Sequence, residues 1–199
     1  MTDAMKIAGL VLMGGKASRL GGGDKALIEI AGRSVLQRAL NRFAPQVGPL
    51  ALSANGDPAR LGGFGLPIVP DLEDAPEGPL GGVLAGLAWA SGQAGVSHLA
   101  TLPGDAPSPP LDLVRRLVEA AGDGAAAAYG PRGVEPLHAL WPIAAEARLK
   151  ALVADGLGSP KRALEALGAV AVRFDEPDAF LDLDTPEDVA RAESFFGRA

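Results

Sequence analysis

The feature that most limits what this chain can fold into is its first apolar run, Ile7 to Met13, which passes into Gly14-Gly15 with no polar residue between. An unbroken apolar run suits a central parallel strand covered on both faces, not a strand with one wet face. Glycines directly after it permit positive φ and carry no Cβ, so successive backbone N–H groups can turn toward an anion. Beyond them come Lys16, Arg19 and Lys25, set among Gly21, Gly22 and Gly23. Lysine and arginine make charge-assisted contacts to phosphate oxygens. The order predicts a buried strand feeding a phosphate-binding loop. An isolated lysine is usually solvated loop charge, but glycines on both sides move Lys25 and Arg19 toward phosphate. Lys16 raises the local potential.

Two familiar fingerprints do not fit. A dinucleotide-binding G-x-G-x-x-G is broken by Lys16, and the P-loop G-x-x-x-x-G-K-[ST] is absent because Asp24 precedes Lys25 and Ala26 follows it. What stands is G-G-K-x-S-R-L-G-G-G-D-K.

With 199 residues and 48% hydrophobic content, the chain has room for a substantial core, and residues 1–199 read as one domain without linker or repeat. Having no cysteine excludes disulfides and thiolate metal sites, and it suits a cytoplasmic location. The start carries an acidic residue and too short an apolar run for a signal peptide or membrane helix. A net charge of −6 argues against a nucleic-acid surface, so an anionic substrate needs a local cluster of positive charge.

Along the chain, strands and helices alternate. Ser34 is placed to cap a helix with Leu36, Leu40 and Phe43 on one face, ended by Pro45. Strands are predicted at 49–54, 66–69 and 97–102, and the segment 77–82 opens a helix with the stripe Leu80, Leu84 and Leu87. Small residues at its start suit close approach of a ligand. A helix over 111–121, strands at 125–129 and 136–141, helices at 144–154 and 159–167, and a strand at 169–174 follow. Thr185 caps the last helix with Pro186 at its first position. This rhythm predicts a mostly parallel, doubly wound sheet. In such sheets ligands gather at the carboxyl ends of the strands, where Gly14-Gly15, Asn55, Asp71 and Asp105 all fall.

Asp105, in L-P-G-D-A-P, is the candidate Mg²⁺ ligand, since that ion commonly takes only one or two protein carboxylates and otherwise phosphates and water. As a bland alternative it is a turn former between prolines. Asp71 can accept hydrogen bonds from a base edge or a ribose, and Asn55 offers both donor and acceptor. Both are also ordinary turn residues. His98 and His138 have no second ligand at metal spacing and read as partly buried, hydrogen-bonded side chains. Asp182, in the D-L-D-T-P segment, is a second candidate metal ligand, and Asp184 suits a helix start.

The glycine loop resembles the L-A-G-G-x-x-x-R-M-G-x-x-D-K signature of the molybdenum cofactor guanylyltransferases, a MobA-like nucleotidyltransferase family. Met13 and Leu20 stand as apolar replacements for its Ala and Met. The likeness extends through S-A-N at 53–55, P-D at 70–71, G-P-L-G-G at 78–82, G-D-A-P at 104–107, E-P-L-H-A-L-W at 135–141 and D-L-D-T-P-E-D at 182–188. It implies a single-domain, Rossmann-like three-layer α/β/α fold with a mostly parallel sheet. It also implies GTP binding by Leu12, Met13, Gly14, Gly15, Lys25, Asn55, Asp71 and Asp105, a catalytic set of Arg19, Lys25 and Asp105, and Mg²⁺ as cofactor. The acceptor would be molybdenum-molybdopterin, and delivery proteins for molybdoenzymes are implied partners. The cytidylyltransferase branch resembles L-A-A-G in its first loop, with no aspartate before the lysine. Here Gly14-Gly15 and Asp24-Lys25 point to guanine, whereas D-x-D-T-P is more typical of cytidylyl and sugar-phosphate transferases. A regulator that binds nucleotide without turnover is the alternative from another class. Lys161 and Arg162 are candidates for the acceptor phosphate, though a solvated helix face explains them as well.

Overall fold

Among the described residues, seven strands form one sheet in the order β5-β4-β1-β6-β8-β7-β9. They are β1 (Ile7–Leu12), β4 (Leu50–Ser53), β5 (Ile68–Val69), β6 (His98–Pro103), β7 (Ala126–Gly130), β8 (Gly133–Pro142) and β9 (Val170–Arg173). A separate hairpin pairs β2 (Glu29–Ile30) with β3 (Arg33–Ser34). The computed structural model describes residues 7–14, 24–176, 179–181, 183 and 185–197. Every pairing in the large sheet is parallel except those of β8, which runs against both β6 and β7. The predicted mostly parallel sheet is therefore observed, with one strand reversed.

Capping side chains set helix starts at Ser34, Ser159 and Thr185. The Ser34 hydroxyl accepts from Gln37 N at 3.2 Å and opens α1 (Val35–Phe43). Its apolar face, with Leu36, Leu40 and Phe43, packs with α3 (Leu113–Ala121) on one side of the sheet. On the other side lie α2 (Pro79–Ser91), α4 (Glu146–Ala154) and α5 (Pro160–Leu167). Thr185 and Asp188 exchange capping bonds at the head of α6 (Pro186–Phe196), as the Thr-Pro pair predicts. Helices on both faces of a central sheet make three layers. A smaller cluster, including Ile30, Val35, Leu181, Leu183 and Ala192, ties the β2-β3 hairpin to α6.

Residues of β1 divide between the two faces: Ile7 and Val11 join the α1–α3 side, and Ala8, Leu10 and Leu12 join the α2 side. That split explains the continuous apolar run. The stripe predicted on α2 understates its burial, because Leu80 through Leu87 are all buried. Such a helix is a core element. Gly86 lies where α2 crosses β1, and a Cβ there would meet Leu10 and Leu99 side chains.

Burial corrects one expectation. His138 is 1% exposed, and its Nε2 has no hydrogen-bond partner among the described residues. Its ring instead meets Phe180 edge-on, with centroids 4.7 Å apart. His98 matches the expectation better, lying 2.9 Å through Nδ1 from the Ser97 hydroxyl. Burial, with a smaller push from Arg132, drives the His138 imidazole down to about 3. Its ordinary value is about 6.5, so between these limits the unfolded chain binds a proton that the folded chain refuses. Stability should therefore rise with pH through that window and fall as pH drops from about 6.5 toward 3, by up to about 1.4 kcal/mol per pH unit. His138→Phe should remove this dependence, so in denaturant titrations at pH 4 and 7 the variant should lose less stability than the parent.

Candidate active site

Strand order explains why four distant segments meet. From β1 the chain moves outward through β4 to β5, then returns through α2 to β6 on the other flank of β1. The order reverses between β1 and β6, and at such a switch point connections leave the strand ends in opposite directions and open a crevice. Backbone bonds continue the ladder to its lip: Met13 N donates to Ser53 O at 2.8 Å, Gly104 N to Leu12 O at 2.9 Å, and Ala54 N to Val69 O at 3.1 Å.

The crevice is about 600 Å³. Leu12, Met13, Gly14, Asn55, Asp71 and Asp105 all line it, so six of the residues singled out in the sequence share one wall system. Gly15, Arg19 and Asp182 lie outside the described residues, as does Lys16. Lys25 is not among the lining residues. It starts a 3-10 turn, Lys25–Leu27, whose N-cap Asp24 accepts from Ala26 N at 3.1 Å. A Cβ built on Gly104 would lie 3.4 Å from Ala26 Cβ, so this turn abuts the loop that carries Asp105. Lys25 thus stands beside the crevice on a half-buried turn.

Asn55 and Asp71 were read separately, yet they bind each other. Asn55 Nδ2 donates to Asp71 Oδ2 at 2.7 Å, and Asn55 Oδ1 accepts from Asp71 N at 2.9 Å. A reciprocal pair fixes both the amide and the carboxylate before any ligand arrives. One amide hydrogen and the other Asp71 oxygen are outside this pair.

The glycines opening α2 also serve packing, besides lining the crevice at Gly78 and Gly82. A Cβ on Gly82 would sit 2.7 Å from Ser53 Oγ and 2.9 Å from Leu12 Cδ2, and one on Gly81 would sit 2.6 Å from Pro76 O. Gly82 lets α2 press against the ends of β1 and β4 while lining the crevice, and Gly81 makes room for the 71–76 loop. Gly78, with φ of +94°, turns the chain into the helix in a backbone region that favours glycine.

Leu137, inside the E-P-L-H-A-L-W segment, adds an apolar wall from β8. Lys161 and Arg162 occupy the exposed first turn of α5. The chain leaves α5 at the start of β7, where Val170 N donates to Ala125 O at 2.9 Å, and neither Lys161 nor Arg162 lines the crevice. Among the described residues no group of three or more His, Asp or Glu side chains forms a metal cage.

A family model described as the MobA-like NTP transferase domain matches residues 9–171. The chain belongs to the MobA-like NTP transferase family. A relative in this family, the molybdenum cofactor guanylyltransferase of Cereibacter sphaeroides, is 46% identical over 191 residues, covering 96% of this chain and 97% of its own. The molybdopterin-guanine dinucleotide biosynthesis protein A of Archaeoglobus fulgidus superimposes with a TM-score of 0.74 at 20% identity, over 96% of this chain and all of that one. A 4-diphosphocytidyl-2C-methyl-D-erythritol synthase from Anaerococcus prevotii reaches 0.73 at 14% identity, over 98% of each chain. The two solved structures share this chain's fold. No helix among the described residues is long and apolar enough to cross a membrane.

Proposed function

We propose that this chain transfers GMP from GTP to the terminal phosphate of molybdenum-molybdopterin, forming the guanine dinucleotide cofactor and releasing pyrophosphate. The observation that carries this reading is the crevice at the strand switch point. It gathers Leu12 to Gly14, the Asn55–Asp71 pair and Asp105 in a chain 46% identical over 191 residues to a protein named for that transfer.

In the reaction, an acceptor phosphate oxygen forms a bond to the α-phosphorus of GTP, and the bond from that phosphorus to the bridging oxygen of the β-phosphate breaks. Protein groups need to align donor and acceptor and neutralise charge, with no covalent nucleophile. Backbone N–H groups after β1 face the phosphates, and Lys25 and Arg19 meet charge building on the leaving pyrophosphate. Asp71 accepts from the base or ribose, held in register by Asn55. Asp105, with phosphate oxygens, would hold Mg²⁺, which when bound would screen phosphate charge and polarise the reacting centre. Asp182 is a second carboxylate for the same role. A phosphate-bearing pterin would meet Lys161 and Arg162 on α5. We place this activity in the cytoplasm, with molybdoenzyme delivery proteins as recipients of the product.

Calorimetric titration with GTP, CTP, ATP and UTP in the presence of Mg²⁺ tests this. GTP should bind with at least about a tenfold advantage, a difference of about 1.4 kcal/mol. Turnover with molybdenum-molybdopterin then completes the test. A CTP preference would move the chain to the cytidylyl branch, and no binding of any nucleotide would overturn the reading.

A further inference from the structure

We propose that Arg60 is a positioning residue that locks the turn bearing Lys25 onto the strand end bearing Asn55. It lies on a 3-10 helix, Pro58–Phe64, between β4 and β5, where nothing in the local sequence marks it. One guanidinium nitrogen, Nη1, donates to Asn55 O at 2.8 Å and Asp57 O at 3.0 Å. Its Nε lies 3.6 Å from Asp24 Oδ2. Arg60 therefore touches the residue before Lys25 and the backbone of the Asn55 turn at once.

The two oxygens of Asp24 divide their work. Oδ1 accepts from Ala26 N at 3.1 Å and so shapes the turn that begins with Lys25, while Oδ2 faces Arg60. The Asp24 side chain is only 15% exposed, and a carboxylate withdrawn that far from water needs a charge partner. On the far side, the Asn55-Gly56-Asp57 turn is wrapped against the guanidinium: a Cβ on Gly56 would lie 3.8 Å from Nη1. Asp57 caps the helix that carries Arg60, accepting from Ala59 N at 2.9 Å. Asn55 then holds Asp71 through its two side-chain bonds.

A continuous chain of contacts thus runs from the Lys25 turn through Asp24, Arg60 and Asn55 to Asp71. Arginine suits the middle place because its rigid, planar fork can address a carboxylate and carbonyls together, which a lysine ammonium cannot. What the link supplies is geometry. Groups that meet the phosphates and groups that meet the nucleoside sit on different segments, and a fixed distance between them removes an ordering cost from binding and from reaching the transition state. This inference rests on the proposed roles of Lys25, Asn55 and Asp71 in holding GTP.

The test compares the parent protein with Arg60→Ala, Arg60→Lys, Asp24→Asn, the double variant Arg60→Ala/Asp24→Asn, and Lys25→Ala. GTP affinity by calorimetry, steady-state kcat and KM, and thermal midpoint are read for each. Arg60→Ala should raise the GTP KM about tenfold and lower kcat several-fold, with little change in the thermal midpoint. Arg60→Lys should recover only part of both losses. Because Asp24 and Arg60 act through one link, the double variant should be no worse than Arg60→Ala, a non-additivity expected of coupled residues. The proposal is overturned if Arg60→Ala matches the parent, if the two losses multiply, or if the effect is confined to the melting temperature. Failure of the functional reading looks different: the parent itself would not bind GTP. If the parent binds GTP, Lys25→Ala weakens it and Arg60→Ala does not, the positioning role alone fails.

Discussion

Replacing Asp105 by alanine is expected to cut guanylyl transfer about a thousandfold while leaving the fold intact, the scale associated with losing a principal source of charge stabilisation. The expectation follows from its setting. Asp105 stands just past the end of β6, beside the crevice and next to the β1 loop, where Gly104 N is tied to Leu12 O at 2.9 Å. That bond holds the Asp105 turn by its backbone. Asp105→Asn is the sharper variant, because it keeps the size and removes the charge that a divalent ion needs. Both variants should melt close to the parent, and GTP titrated without Mg²⁺ should bind them about as well as the parent. Only binding and turnover that depend on Mg²⁺ should collapse. If turnover survives within about tenfold of the parent, Asp105 is a turn former between prolines and the metal must be held elsewhere.

Asp105 also shows what the sequence made legible. Its signal was local: an apolar run, then Pro-Gly-Asp at a strand end. The same holds for Ile7 to Gly14, for Ser34 capping α1 and for Thr185-Pro186 opening α6, since caps and strand ends are decided within a few residues. Reversal of β8 carried no such signal, because direction depends on which edge a strand joins and not on its own alternation. The Asn55–Asp71 bonds and the Arg60–Asp24 contact depend on β4, β5 and β1 lying side by side, which only the assembled sheet provides. His138 followed the opposite course, a polar residue in an ordinary strand pattern that the core enclosed beside Phe180. The glycines of α2 were legible as important but not as to purpose, since a missing side chain looks the same whether it leaves room for a ligand or for a strand.

That ambiguity leads to the second large effect. Gly82→Val should destabilise the protein by about 1–3 kcal/mol and weaken nucleotide binding at least tenfold. Alone, the change favours the helix by a few tenths of a kcal/mol, since glycine is a poorer helix former than valine. Packing decides against it. The new Cβ would fall 2.7 Å from Ser53 Oγ and 2.9 Å from Leu12 Cδ2, and these residues are partners in the β1–β4 ladder, so neither backbone can retreat. Relief comes from the Ser53 and Leu12 side chains leaving their rotamers or from α2 tilting away at its first turn. Asp71 Oδ1 is 3.6 Å from the same point, so the tilt would disturb the carboxylate that Asn55 holds. A control is available in Gly63→Ala, where a Cβ meets nothing within 4 Å. That change should leave stability level or raise it by about 0.4–1 kcal/mol, as expected when a glycine is replaced without strain. Thermal melts and GTP titrations of the two variants side by side separate a general intolerance of glycine replacement from the specific contact of α2 with the strand ends. If Gly82→Val binds GTP as the parent does, the first turn of α2 is not part of the nucleotide site, and the crevice wall formed by Gly78, Pro79 and Gly82 serves packing alone.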